Sequence, residues 1–302
     1  MLNYNNRSSK IRERAARGIF TVAALFSLGA LLVITIFLLC NGVPFIARTG
    51  FGKFVLGAEW RPLADTPSYG ILPMIVTSLY VTALAVIFGV IIGLSTAVCL
   101  YRFCPRKLVS PVRQMINLLA GIPSVIYGLF GMTVIVPFLR DYLSPTGVGY
   151  GILAAAIVLS VMILPTVVSV SLDSLSSVPI SYYEGALALG ATEAEATFKI
   201  VLPAAKSGVT SGVILAVGRA LGETMAVIMV VGGSPEMPKS LFQSVRTLTS
   251  NIAMGAMELD ENTQEALIAS GVVLLVFALL LNISFSFLKQ DRSERRKRRG
   301  KV

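Results

Sequence analysis

Histidine is absent from the 302 residues. That absence removes Ser-His-Asp catalysis, histidine zinc sites and imidazole proton relays together. Cysteine is scarce: Cys40, Cys99 and Cys104 form no C-x-x-C pair and no even framework, so free thiols are expected. No G-x-x-x-x-G-K-[ST] string occurs, so the chain has no nucleotide-binding P-loop of its own. No metal ligand set and no catalytic residue emerge. Charge is scarce as well. Asp, Glu, Lys and Arg make up 14% of the chain, where a soluble domain carries about 25%.

What fills the space is apolar. Hydrophobic residues reach 55%, and runs long enough to cross about 30 Å of hydrocarbon as helix recur along the chain. The expected fold class is an all-α membrane protein of about six transmembrane helices. A basic N-terminal segment (1–17) precedes a first span over Ile19–Cys40, within 18–41. That run is too long for a signal-peptide core and lacks a convincing small-residue cleavage site, so it is expected to be retained. An external segment (42–70) follows, rich in Phe45, Phe51, Trp60, Pro62, Pro67 and Tyr69, which suits an ordered stretch near the interface. The core runs over 71–288. Its spans are expected at Ile71–Tyr101, Gln114–Leu139, Gly151–Leu172, Ser207–Val231 and Ala266–Leu288. A cytoplasmic loop (173–206) and an acidic external segment with Glu236, Glu258, Asp260, Glu261 and Glu265 interrupt them. A basic tail (289–302) closes the chain.

The charges test this layout. Of the 26 Lys and Arg, 19 fall in segments placed inside, 6 in segments placed outside, and Arg219 within the fifth span. This bias follows the positive-inside rule with both termini cytoplasmic. It also accounts for the net charge of +10. The tail RRKRRGK has a nucleic-acid reading. Directly after a span, it is better read as meeting anionic membrane lipid, and no nucleic-acid partner is expected.

The longest polar, helix-compatible interruption is Ser181–Pro203. Ser181-x-x-Glu184 and Thr192-x-x-Glu195 read as two capping boxes. Gly190 lies between them, where a left-handed residue ends a helix. Pro203 stops the second helix or starts the next element. The pattern predicts two short helices joined by a glycine turn, or an ordinary cytoplasmic loop.

Two constellations sit inside spans. In Leu119-Ala-Gly-Ile-Pro-Ser-Val-Ile-Tyr-Gly128, Pro123 removes a helical N–H and frees the carbonyl four residues back. Gly121 and Gly128 allow close helix approach, and Ser124 and Tyr127 supply hydroxyls beside the break. Such backbone at membrane depth lines a wet cavity or is buried in protein, so a packing kink and a pathway element both fit. In Gly218-Arg-Ala-Leu-Gly-Glu-Thr-Met-Ala-Val227, Arg219 and Glu223 are expected on one helix face, with Thr224 following. A charge at the bilayer centre costs on the order of 3 kcal/mol. The pair is therefore a structural clamp or an anion site, arginine's planar fork suiting oxyanions.

These strings carry a resemblance. Glu184-Gly185-Ala186, Gly190 and Ile200-x-Leu202-Pro203 match the spacing of the EAA loop of ABC-importer permeases, with Gly185 where alanine is usual. With A-G-I-P-S-V-x-Y-G and R-A-L-G-E-T-M-A-V, the chain resembles the permease subunits of bacterial phosphate importers, the PstC branch more than the PstA branch. The resemblance covers nearly the whole chain. It implies the type I ABC-importer permease fold and a multi-pass subunit of the bacterial plasma (inner) membrane forming half of a phosphate pathway. It implies a PstA-like sister permease, a PstB-like ATPase dimer and an external PstS-like phosphate-binding protein. The chain itself would bind no cofactor; ATP and Mg would be used by the ATPase. Glu184, Gly185, Ala186, Gly190, Ile200, Leu202 and Pro203 would form the ATPase-coupling loop. Arg219, Glu223, Thr224, Ser124 and Tyr127 would line the substrate pathway. Another oxyanion, sulfate or molybdate, and a secondary transporter or channel needing no ATPase are the competing readings.

Overall fold

The computed structural model describes residues 7–256 and 260–299. Glu258 of the acidic segment lies outside the described residues, as do the side chains of 1–12 and of the basic tail. In chain order the elements are α1 (Arg7–Thr49), α2 (Phe51–Leu56), β1 (Trp60–Arg61), β2 (Ser68–Tyr69), α3 (Leu72–Val98), α4 (Arg106–Ala120), α5 (Ser124–Phe130), α6 (Val136–Phe138) and α7 (Ile152–Ser176). There follow α8 (Ile180–Ala188), α9 (Glu193–Glu195), α10 (Leu202–Gly222), α11 (Met225–Ile228), α12 (Leu248–Gly255) and α13 (Glu261–Arg299). Four π-helical turns join neighbours: Cys99–Phe103, Gly131–Ile135, Leu139–Leu143 and Ala196–Val201. Among the described residues, six helical stretches are long and apolar enough to cross a membrane.

The core is built on α7, which packs between α3 and α10. Small residues on both neighbours let the backbones close up, as helix association in lipid requires. A side chain added at Gly89 of α3 would strike Ile163, and one at Gly212 of α10 would press on Val170. Leu159, Ile163 and Val167 of α7 are fully buried in consequence.

A second cluster caps one end of the bundle. The antiparallel pair β1–β2 sets Trp60 opposite Tyr69. Trp60, Tyr69, Phe45 and Phe54 meet edge-on, with ring centroids 5.2 to 6.0 Å apart. Edge-to-face contact suits the ring quadrupoles. This cluster changes the first boundary. The sequence places the end of the first helix near residue 41, but α1 runs on through Pro44 to Thr49. Its extra turns deliver Phe45 into the cap and lay the helix along α13.

The third span also differs from expectation. Residues 106–120 form α4, with no residue buried and a half-buried stripe of Val109, Val112, Ile116 and Leu119 turned to α7. The chain breaks at Gly121–Pro123, and the membrane-length stretch is Ser124–Leu143. The cause is Pro123: it has no N–H to continue the ladder and forces Ile122 off the α-region. The span therefore begins at Ser124 rather than Gln114 and takes in Arg140, expected in the outer loop. There Arg140 pairs with Asp141 at 2.8 Å.

Candidate functional site

Two helix breaks meet inside the spans. The first precedes α5. Pro123 leaves the Leu119 carbonyl without its helical N–H, and the Tyr127 hydroxyl donates to that carbonyl at 2.7 Å. The Ile122 N–H also reaches it, at 3.2 Å. Tyr127 thus commits its one proton to repairing the break. Ser124 opens α5 and is half-exposed. Gly128 lies directly against α11: a Cβ there would stand 3.0 Å from the Ala226 Cα and 2.7 Å from the Met229 sulfur. Gly121 has no such neighbour, its nearest being the carbonyl of Leu118 in its own chain at 3.4 Å. Of the two glycines expected to admit a neighbouring helix, Gly128 does so and Gly121 does not.

The second break follows α10. Arg219 lies in the last turn of this helix, where a cation faces the negative end of the helix dipole. Glu223 does not continue the helix: its ψ of 129° is extended. The expected shared face with Arg219 is therefore absent, and no ion pair joins the two. The carboxylate and the carbonyl of Glu223 are both taken elsewhere. Its carboxylate accepts the Ala226 N–H at 3.1 Å, capping α11. Its backbone carbonyl accepts the Thr249 hydroxyl at 3.1 Å. A side chain 26 residues away thus satisfies the carbonyl that the break leaves without a helical bond. Thr224 follows the break, its hydroxyl 3.4 Å from the Gly222 carbonyl.

Arg219 is exposed, as are Gly218, Gly222 and Met225 around it. A side chain built at Gly218 or Gly222 would meet nothing within 4 Å. The guanidinium has no carboxylate partner among the described residues. A planar cation on an open face beside two interrupted helices has the chemistry to grip an oxyanion in a paired fashion. Behind the break lies a small cavity lined by Ser78, Thr82, Glu223, Thr247 and Thr249. These hydroxyls were missed by the sequence reading. The run Thr247-Leu-Thr-Ser250 was their visible signal, but nothing local ties it to Glu223.

At the far end of α10 is the polar interruption. Pro179, not Ser181, precedes the first helix turn of α8, and no side chain caps it. The proline sets φ at −54° and starts the helix two residues early, so Ser181 falls inside and cannot cap. The second capping box forms: Thr192 accepts the Glu195 N–H, and the Glu195 carboxylate accepts the Thr192 N–H. Gly190 has φ +87°. The Ala191 N–H donates to the Ala186 carbonyl at 3.1 Å and the Gly190 N–H to the Leu187 carbonyl at 2.9 Å. These two bonds make a Schellman termination. Glu184, Gly185 and Gly190 are exposed, and Ala186 is half-buried. Leu189 at the tip is 91% exposed.

Pro203 does not stop a helix but stands in the first turn of α10, as the other expectation had it. α9, the π turn Ala196–Val201 and α10 form one unbroken stretch from Glu193 to Gly222. A proline in the first turn of α10 lacks only an N–H that the wider π turn has already displaced. Ile200 and Pro203 are exposed and Leu202 half-buried on this stretch. The second short helix is thus the foot of the fifth span.

Comparison with known proteins agrees with this architecture. The family described as binding-protein-dependent transport system inner membrane component matches residues 85–299. A probable ABC transporter permease protein, YqgH of Bacillus subtilis, is 38% identical over 295 residues, covering 95% of this chain and 94% of the relative. The phosphate transport system permease protein PstC of Mesorhizobium japonicum is 34% identical, covering 86% of this chain and 84% of the relative. Among solved structures, a bacterial ABC transporter involved in import of the acidic polysaccharide alginate is similar with TM-score 0.63, 15% identity, 93% of this chain and 99% of that chain. An inward-facing MetNI methionine ABC transporter gives TM-score 0.59, 21% identity, 73% of this chain and 95% of that one. These two likenesses concern the fold, which is that of type I ABC-importer permeases.

Proposed function

Since the chain belongs to the binding-protein-dependent transport system inner membrane components, a family of non-catalytic multi-pass permease subunits, we propose that its cargo is inorganic phosphate and that it forms half of the pathway. The carrying observation is Arg219, exposed at a helix break with no carboxylate partner among the described residues. The similarity to relatives named as phosphate permeases supports the choice of anion.

The partners follow from the family: a separate ATPase and an external binding protein. We assign them more finely as a PstB-like ATPase dimer, a PstS-like phosphate-binding protein and a PstA-like sister permease. Both termini are cytoplasmic in this reading, and ATP and Mg act only in the ATPase. The binding protein delivers phosphate to the outer mouth. Closure of the ATPases displaces the loop containing Gly190. Because Glu193–Gly222 is one helix, the displacement travels along about 40 Å of rigid backbone to Arg219. Arg219 holds the oxyanion in passage, Ser124 and Thr224 flank it, and Glu223 fixes the geometry of the break. Differential affinity of ATP and binding protein for the two states supplies the bias.

The test is uptake of labelled phosphate in cells lacking other phosphate importers, with excess sulfate or molybdate as competitors. The expected result is uptake that needs the ATPase and resists both competitors. Equal competition by sulfate or molybdate would reassign the anion. Uptake without the ATPase would make the chain a secondary transporter or channel.

A further inference from the structure

The loop around Gly190 is held on both sides by two consecutive residues of another span. The π turn Cys99–Phe103 ends the second membrane stretch. Such turns re-aim side chains at helix ends. Arg102 reaches the first arm of the loop. Its Nε donates to the Tyr183 hydroxyl at 2.9 Å, and its guanidinium carbon lies 4.2 Å from the Tyr183 ring centroid. Tyr183 is 2% exposed and is the one residue of α8 that is buried. Phe103 reaches the second arm. Its ring stacks on Phe198, centroids 6.2 Å apart and planes 19° apart. Phe198 belongs to the π turn Ala196–Val201 that leads into α10.

We propose that Arg102 and Phe103 are positioning residues that clamp the two arms of the loop, so that its displacement drives the second span together with the fifth. This rests on the reading of the loop as the ATPase dock. The physical reason is that Tyr183 is the one fully buried side chain of α8, while Ala186 and Leu187 are only partly buried against the same apolar cluster and the π turn lies behind. A hydrogen bond from a charged donor combined with a cation over the ring holds tyrosine in both position and orientation. Gly190 between the arms tolerates no such grip: nothing lies within 4 Å of a side chain built there. Force applied at the tip therefore passes covalently to α7, joined to α8 through residues 177–179, and to α10, and reaches α3 through this pair of contacts.

The experiment uses the whole importer, with ATPase, sister permease and binding protein, in phospholipid vesicles. It reads phosphate taken up per ATP hydrolysed, after normalising to assembled complex. Arg102→Met should lower that ratio about tenfold, with Arg102→Lys recovering part of it and Tyr183→Phe combined with Arg102→Met adding nothing further. Phe103→Leu should lower it independently. An unchanged ratio in the Arg102→Met, Phe103→Leu double variant would overturn the clamp. So would a variant that assembles poorly while the surviving complex keeps the wild-type ratio, since that describes a purely structural contact. Wild-type uptake that proceeds without ATP would remove the docking reading itself, and the clamp with it.

Discussion

Gly190 offers a test in which one physical cause acts alone. Its φ is +87°, in the left-handed region. No atom lies within 4 Å of where a Cβ would stand, so a substitution there meets no steric obstacle. The cost is conformational only. For alanine it is about 1–2 kcal/mol, because Cβ crowds the following carbonyl. That corresponds to roughly a 5- to 30-fold loss in the population of the turn. Asparagine enters this region more readily and should lose less. Proline cannot follow at all: its φ is locked near −65°, and it would delete the N–H now bonded to Leu187 at 2.9 Å. The expected order of ATPase recovery on co-purification, and of phosphate uptake per permease in the membrane, is glycine, asparagine, alanine, proline. Membrane level should stay constant along the series, because Gly190 is exposed and packs on nothing. Alanine and proline variants that both recover ATPase and transport like wild type would refute the loop as the coupling element. Equal damage from asparagine and proline would refute the backbone argument, since only the backbone distinguishes them.

Four further outcomes are expected. Gly128→Ala should destabilise the detergent-solubilised protein by about 1–3 kcal/mol through overpacking on Ala226, read by thermal unfolding, while Gly121→Ala should be near neutral. Tyr127→Phe should cost about 1 kcal/mol of stability by unlatching the Leu119 carbonyl, and leave the KM for phosphate unchanged; a raised KM would make Tyr127 a ligand instead. Arg219→Gln should abolish labelled-phosphate uptake, Arg219→Lys should impair it, and adding Glu223→Gln should not restore it; near-normal uptake by the double variant would make the two residues a helix clamp. Cysteines placed within Phe51–Trp60 should react with an impermeant thiol reagent from outside intact cells, and one placed after Val302 should not; labelling of the latter would overturn the orientation.

Much of the protein was legible as sequence because membrane helices are specified by local composition. A span must satisfy its own backbone and carry about 20 apolar residues, whatever its neighbours do. Hence the number of spans, the glycine turn at Gly190 and the Thr192–Glu195 capping box all follow from short strings. Pro123 likewise announced its own break and the orphaned Leu119 carbonyl. The tertiary structure decided what depends on distant partners. Glu223 leaves the helix with its carbonyl taken by Thr249, 26 residues on, and the spacing of four between Arg219 and Glu223 does not become a shared face. Ser181 loses its cap to a proline two positions earlier, and Pro203 passes without a break because a π turn precedes it. Arg102 looked like one more charge in a basic loop. Only folding brings it to Tyr183, since the contact spans 81 positions and no local pattern encodes it.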